Sequence, residues 1–399
     1  MLYSQKMTHQ PHNKPLLGIL QGRLIPRKAL LELADSQGVF AVAITPDSEI
    51  DPKTKTVKNV VAVEAGNTIV LNSVPFPHVI YDMQFSKGKG EKRRKHFREI
   101  AKALHVAGSQ FINPYNSLGL VNDKVAFGKL MSRNGISSPG CHAYNKESFE
   151  RLLSEHESVF VKPVSGNQGF GIITTTRSEL GIELMYIIVG SCGTEIERRQ
   201  RWYKPENVFA AVEDIRSDEG WAQSEYFLQP AVDYFAWGDR WTWLRVSVQR
   251  AGEGRLGIVG TVFNYLHCSE YGGRHDDPLI LYTKIAENCD KSARNIESSC
   301  MQIALATHQV LEAAIGKKIG ELGLDIIVDN DGVPHVLEAN NKQGNLIYWD
   351  PQYAETQNPG GFMNPNFNDR ARSMDVNRNK AVLQYAEFLA GKALRTNSV

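Results

Sequence analysis

Three oxygen-bearing side chains late in the chain have the types and spacing of a divalent-cation site: Asp325, Glu338 and Asn340. They lie in Gly323-Leu324-Asp325-Ile326-Ile327-Val328-Asp329-Asn330-Asp331-Gly332-Val333-Pro334-His335-Val336-Leu337-Glu338-Ala339-Asn340, which reads as two buried strands joined by a tight Asp-Gly turn. A polar residue on a buried strand is costly unless something pairs with it. Side chains alternate along a strand, so Glu338 and Asn340 share a face, and a short hairpin sets Asp325 roughly opposite Glu338. Mg²⁺ takes carboxylate and amide oxygens and fills its remaining positions with water and nucleotide phosphates. The platform therefore points to a Mg·ATP site. The competing reading is an edge ribbon whose acids face solvent.

Three further stretches supply what a nucleotide would need. Ser165-Gly166-Asn167-Gln168-Gly169-Phe170-Gly171 follows the strand that carries Lys162. Glycines let backbone N–H groups close on phosphate oxygens, and Lys162 would bring a point charge to the same phosphates. The alternative is a plain glycine turn beside a surface lysine. Lys124 sits at a helix start, where phosphate is welcome, or is a solvated helix lysine. Tyr226-Phe227-Leu228-Gln229-Pro230-Ala231-Val232-Asp233 is an apolar strand turning into a linker. It could offer adenine an apolar slot and backbone hydrogen bonds, with Asp233 or Glu225 for ribose hydroxyls; otherwise it is an ordinary core strand.

In order and spacing, Lys124, Lys162-Pro163 with its glycine loop, Gln229-Pro230-Ala231-Val232, Asp325, Glu338 and Asn340 resemble the ATP-grasp superfamily over residues 75–350. Phe76-Pro77-His78-Val79-Ile80-Tyr81-Asp82, a basic stretch and Phe111-Ile112-Asn113-Pro114 look like its spore-coat-associated branch. The resemblance implies an α/β fold of three lobes, with an N-terminal open parallel α/β lobe and ATP clamped between the central and C-terminal lobes. The expected bounds are 1–120, 121–228 and 229–399. It also implies that Lys124 and Lys162 hold phosphates, and that Ser165, Gly166, Gly169 and Gly171 form a mobile loop over them. Gln229, Pro230, Ala231 and Val232 would meet adenine, Asp233 the ribose, and Asp325, Glu338 and Asn340 Mg²⁺. Arg245 matches an arginine of RimK-like glutamate ligases and would face the γ-phosphate or acyl phosphate, making Arg245 and Lys162 the expected catalytic pair.

Two positions depart from related enzymes. D-alanine–D-alanine ligases carry an arginine two residues before the first metal acid, where this chain has Gly323. Ser-Pro-Gly often follows the metal Asn; here Asn341-Lys342-Gln343-Gly344 does, which places Lys342 where the acceptor substrate usually lies. Asn264 and the Gly272-Gly273-Arg274 turn occupy the region of a substrate loop. Arg274 is a candidate carboxylate clamp, since guanidinium binds carboxylate bidentately.

ATP-grasp enzymes mostly join a carboxylate to an amine through an acyl phosphate, releasing ADP and phosphate. The expectation is such a ligase, acting on an amino acid or small peptide. The alternatives are a small-molecule kinase of the same superfamily and a nucleotide-binding structural or regulatory protein with little turnover. Partners are then small carboxylates and amines, with no nucleic acid or membrane, and a homodimer is common among such ligases.

The elements that must position these residues follow from periodicity. Leu16–Leu20, Val39–Thr45 and Pro77–Asp82 read as strands, Ala29–Ser36 and Phe97–Ala107 as helices, and Phe111–Pro114 as a strand end. Their alternation suggests a parallel sheet. Asp123–Arg133 reads as a helix, Val159–Pro163 as a strand, 190–222 as an irregular insertion, and 226–350 as mainly strands broken by a helix over 298–315. Gly252-Glu253-Gly254-Arg255-Leu256-Gly257 matches a dinucleotide pattern but has no helix after it, and so reads as a hairpin turn.

Composition sets the outer bounds. The net charge is +1, which gives no bulk attraction to nucleic acid or membrane. Five scattered cysteines form no Cys-x-x-Cys pair, so reduced thiols and a cytoplasmic location are expected. The first 15 residues lack the apolar core of a signal peptide, and no run of about 18 apolar residues exists. The basic 87–96 stretch reads as a solvated loop entering a helix, or as a contact for an acidic substrate.

Overall fold

The computed structural model describes residues 5–6, 16–21, 28–83, 91–115, 119–164, 171–189, 196–238, 240–267, 274–341 and 368–396. Its strands form three sheets that follow one another along the chain. The first holds β1 (Gln5–Lys6), β2 (Leu16–Leu20), β3 (Phe40–Ile44), β4 (Glu49–Asp51), β5 (Thr56–Glu64), β6 (Asn67–Pro75), β7 (Val79–Asp82) and β8 (Gln110–Phe111), in the order β1-β6-β5-β3-β2-β7-β8 with β4 on β5. Helices α1 (Lys28–Ser36) and α2 (Glu91–Val106) connect its parallel strands.

This sheet corrects the expectation of a parallel lobe. β2 runs parallel to β3 and β7, and β7 to β8. β5, however, is antiparallel to β3, β4 and β6. The cause is local: Ala65 and Gly66, with φ of 49° and 75°, make a two-residue turn between β5 and β6. Such a turn can join only antiparallel neighbours, whereas parallel ones need a crossover of a dozen residues or more.

Two short helices, α3 (Gly119–Asn122) and α4 (Lys124–Arg133), lead to the second sheet. Asp123 caps α4 by accepting from the N–H groups of Val125 and Ala126 at 3.0 and 2.9 Å. The second sheet holds β9 (His142–Ala143), β10 (Ser158–Pro163), β11 (Ile173–Ser178), β12 (Gly181–Val189), β13 (Ile196–Tyr203) and β14 (Tyr226–Pro230). Its order is β13-β12-β11-β10-β14-β9, antiparallel throughout. Helices α5 (Lys146–Glu155) and α6 (Val208–Asp218) bury Phe149, Leu152, Val212 and Ile215 against Val159, Val161 and Leu228 of the sheet.

Of the stretch 190–222, the described part 196–222 is therefore not irregular: it contains β13 and α6. β13 reads Ile-Glu-Arg-Arg-Gln-Arg-Trp-Tyr and lies at the edge of its sheet. Edge strands are blunted with charge, which removes the apolar alternation that would reveal them.

The third sheet holds β15 (Arg240–Arg250), β16 (Leu256–His267), β17 (Arg274–Asp276), β18 (Glu321–Val328) and β19 (Pro334–Asn340), in the order β17-β16-β15-β18-β19. The 252–257 motif is the turn between β15 and β16, as expected. Two helices, α7 (Pro278–Ala286) and α8 (Ala293–Ile315), cover one face, where Leu244, Val246, Leu324 and Ile326 meet Leu281, Tyr282, Ile285 and Leu311. The final helix α9 (Asn368–Thr396) returns to the first sheet, packing Val382, Leu383, Tyr385 and Ala386 with Leu17, Ile19 and Leu30. No helix among the described residues is long and apolar enough to cross a membrane.

Candidate functional site

The two faces of the third sheet divide the labour. On β15 and β18, Leu244, Val246, Leu322, Leu324 and Ile326 point to the core under α7 and α8. The alternate residues point the other way. Arg245 stands opposite Asp325, and Asp325 opposite Glu338, while Gly323 stands opposite Asn340. A bulge beside Asp325 interrupts the ladder between β18 and β19 at this point. The expected juxtaposition of Asp325, Glu338 and Asn340 is therefore present, and Arg245 joins it from the neighbouring strand.

Charges in this group pair closely. Arg245 grips Asp325 bidentately, Nε donating to Oδ1 and Nη2 to Oδ2, the latter at 2.9 Å. Lys124 Nζ lies 3.2 Å from Glu338 Oε2. Asn340 turns its amide nitrogen to the acids, Nδ2 donating to Asp325 Oδ2 and to Glu338 Oε1, each at 3.4 Å. The second sheet contributes Lys162, whose Nζ donates to Gln229 Oε1 at 2.6 Å and sits 4.6 Å from the centre of the Phe160 ring. Phe160 and Lys162 alternate with Val159 and Val161, which face the core, so both point out of the sheet.

The titration behaviour follows from this crowding. Burial, reinforced by the nearby Lys124 ammonium, pushes Lys162 down to about 8. Burial pushes the Asp325 carboxyl up, against the pull of Arg245. Burial also opposes ionisation of Glu338, but Lys124 and Arg245 outweigh it and hold that carboxyl below its usual range.

The donor set fits Mg²⁺ bound to a nucleotide. Among the described residues no group of three or more His, Cys, Asp or Glu side chains could hold a metal. Asp325 and Glu338 supply two carboxylates, and the Asn340 amide, once turned to present its oxygen instead of the Nδ2 that now faces both acids, a third ligand, leaving other positions to phosphates and water, as is the habit of Mg²⁺. Lys124 pairs with Glu338 and its charge also reaches Lys162, so two ammonium groups border this donor set.

The remaining expected residues are placed as follows. Gly171 (φ 77°) closes the glycine loop, and its carbonyl accepts from the Tyr226 hydroxyl at 2.9 Å. Ser165, Gly166, Gly169 and Lys342 lie outside the described residues. Beyond Pro230, which ends β14, Ala231 donates its N–H to Ser158 O at 2.9 Å. Val232 and Asp233 continue into a linker that pairs with the third sheet, Phe235 N–H donating to Val328 O at 2.8 Å. Asp233 is exposed and accepts from Asn330 Nδ2 at 2.9 Å. Arg274 starts β17 rather than occupying a turn. Asn264 is also in a strand, not a loop: it is buried on β16 opposite Trp243. An open cleft of about 470 Å³, lined by Asn122, Asp123, Val164 and Glu225 among others, borders the segments carrying Lys124 and Lys162.

Several neighbours escaped the sequence reading. Gln229 was expected to act through its backbone, yet its side chain anchors Lys162. Cys141 Sγ lies 4.0 Å from Gln229 Nε2. Phe160 meets Trp241 edge-on at 5.8 Å, linking the second and third sheets beside Lys162. The period-two spacing of Phe160 and Lys162 was a signal that could have identified Phe160. Nothing local marks Cys141.

A family model described as YheC/D-like ATP-grasp matches residues 138–359. The endospore coat-associated protein YheD of Bacillus subtilis (strain 168) is 21% identical over 327 residues, covering 80% of this chain and 65% of that protein. The D-alanine-D-alanine ligase from Coxiella burnetii aligns with a TM-score of 0.50 at 11% identity, over 96% of this chain and 98% of that one. The D-alanine–D-alanine ligase from Bacillus anthracis, solved with ATP, aligns at 0.49 and 13% identity over 95% and 99%. At 11% identity the Coxiella burnetii ligase speaks to the fold alone. With more than half of its length matched by the family model, the chain belongs to the YheC/D-like ATP-grasp family.

Proposed function

We propose that this protein is an ATP-dependent carboxylate–amine ligase that forms an amide or peptide bond, on an amino acid or small peptide, through an acyl phosphate. One observation carries the reading: three cationic side chains, Lys124, Lys162 and Arg245, converge with Asp325, Glu338 and Asn340 where two sheets meet. In this reading the chain works as three lobes, 1–120, 121–228 and 229–399, with ATP between the last two.

The chemical obstacle is repulsion between an anionic carboxylate and an anionic phosphate chain. Lys124 and Lys162 would hold the phosphates, and Arg245 would face the phosphoryl group in transfer, stabilising charge where it develops. Mg²⁺, held by Asp325, Glu338 and Asn340, would neutralise phosphate charge. A substrate carboxylate oxygen attacks the γ-phosphorus, ADP leaves, and an amine then displaces phosphate from the acyl carbon with loss of its proton. Gln229 to Val232 would meet adenine and Asp233 the ribose. Ser165, Gly166, Gly169 and Gly171 would close over the site to exclude water, which would otherwise hydrolyse the acyl phosphate. Asn264, Arg274 and Lys342 are the candidates for substrate contact. An ATP-consuming ligase of this kind works in the cytoplasm.

Isotope transfer tests the acyl phosphate. With an ¹⁸O-labelled carboxylate substrate drawn from amino acids and short peptides, one label should appear in the released phosphate. Phosphate free of label beside a labelled amide product would overturn the mechanism.

A second reading is a nucleotide-binding structural or regulatory protein. Asp325 and Glu338 are already neutralised internally by Arg245 and Lys124, and the Bacillus subtilis relative is named for its association with the endospore coat. That protein would bind Mg·ATP and release no ADP with any substrate.

A further inference from the structure

Residues 112 and 113, just past β8, bridge the first sheet to the third: Ile112 N–H still donates to Ile80 O of β7 at 3.0 Å. The Ile112 carbonyl accepts from Gly320 N–H at 2.9 Å. The approach is so close that a Cβ at Gly320 would stand 2.3 Å from that carbonyl oxygen. The Asn113 side chain then does what a strand backbone would do. Its Oδ1 accepts from Glu321 N–H at 2.9 Å, while Nδ2 donates to Glu321 O at 3.0 Å and to Asn341 O at 2.5 Å. Only this orientation satisfies all three groups. Flipped, the amide would set an oxygen against two carbonyls and an N–H₂ against an N–H.

The consequence lies one residue away. Asn341 directly follows Asn340, whose Nδ2 donates to both Asp325 and Glu338 at 3.4 Å. Asn340 stands at the end of β19 opposite Gly323, so Asn113 holds the backbone where the strand leaves the ladder. It also holds both backbone groups of Glu321, at the start of the strand that carries Asp325. One side chain from the first sheet thus ties together the two strand ends that frame the acids.

We propose that Asn113 is a positioning residue for the metal-binding hairpin, resting on the Mg·nucleotide reading above. By fixing the carbonyl of Asn341 it sets the backbone of Asn340 so that this side chain stays beside Asp325 and Glu338, where its amide need only turn to present oxygen to a cation, and the first sheet governs metal affinity from outside the metal's reach. Partners of this kind typically change metal affinity by about 10–100-fold when removed.

The test uses Mn²⁺ as a probe, titrated into the full-length protein with ADP and read by the loss of the free Mn²⁺ electron paramagnetic resonance signal. Asn113→Asp keeps the shape and the acceptor for Glu321 N–H but opposes two carbonyls. Asn113→Ala removes the clamp without adding charge, and serves if the first variant does not fold. Either should raise the Mn²⁺ dissociation constant about tenfold or more, while binding of a fluorescent ADP in EDTA stays unchanged. Combining the substitution with Asn340→Ala should add little beyond Asn340→Ala alone, since both act through one carboxamide. Wild-type Mn²⁺ affinity in a folded Asn113 variant, or full additivity in the double variant, overturns the proposal and leaves the nucleotide reading standing. Failure of the unmodified protein to bind Mn²⁺ with ADP overturns both.

Discussion

Strand β18 carries two acids on one face, four residues apart, and the protein treats them in opposite ways. Glu321 is 1% exposed and closed in by partners: the Tyr81 hydroxyl at 2.9 Å, Gln249 Nε2 at 2.7 Å, and Arg378 Nε at 4.0 Å. These partners come from the first sheet, the third sheet and α9, so the cluster locks three parts of the chain together. Asp325 is 7% exposed, yet its surroundings are open, with Arg245 at 28%, Lys124 at 17% and Glu338 at 32% side-chain exposure. A buried charge must be neutralised somehow. At Glu321 dedicated partners do this permanently. At Asp325 the neutralising cations remain within reach of solvent, and so of a ligand that can exchange with them.

The two clusters should therefore fail differently. The largest effect should come from Arg378→Met. It strands Glu321 without its guanidinium and should cost about 3–5 kcal/mol of stability, read as a lower urea midpoint. Lys162→Ala should instead leave the midpoint nearly unchanged and lower turnover by ~10²–10³. A large stability loss in Lys162→Ala would erase the distinction.

A smaller effect sharpens the open cluster. Lys162 titrates at about 8 in the free protein because it is buried beside Lys124. It is protonated below that pH and must take up a proton above it in order to meet a phosphate. ADP affinity should therefore be flat below pH 8 and fall above it, by at most about tenfold per pH unit. Lys162→Arg, charged throughout, should flatten the profile; an unchanged decline would assign the titration to another group. The smallest effect belongs to the closed cluster. Gln249→Leu removes one donor to Glu321 and should cost roughly 1–3 kcal/mol by urea denaturation, with ADP affinity unaltered.

What the sequence disclosed follows the same division. The open cluster sits on a local hairpin, so period-two alternation was enough to set Asp325 against Glu338, the register that the structure has. The strands that carry Lys162 and Gln229 were legible from their apolar runs, but the hydrogen bond between the two side chains was not. The closed cluster was not legible, since Tyr81, Glu321 and Arg378 are brought together only by docking of distant elements. No local pattern in Phe111-Ile112-Asn113-Pro114 states that Asn113 will clamp residues 208 and 228 positions away. The bidentate grip of Arg245 on Asp325 likewise depends on which strand β15 chooses as neighbour. The antiparallel half of the first sheet was hidden by its parallel half, because the strand and helix patterns around it suggested a single rule.

The central claim is that the open cluster is a working ATP site. Its most direct test measures nucleotide products from the purified protein with Mg·ATP and a pool of amino acids and short peptides, beside Glu338→Ala. ADP and phosphate should appear, depend on the pool and fall by ~10²–10³ in the variant, with an amide product visible by mass spectrometry. AMP and pyrophosphate, or turnover unchanged in Glu338→Ala, would contradict it.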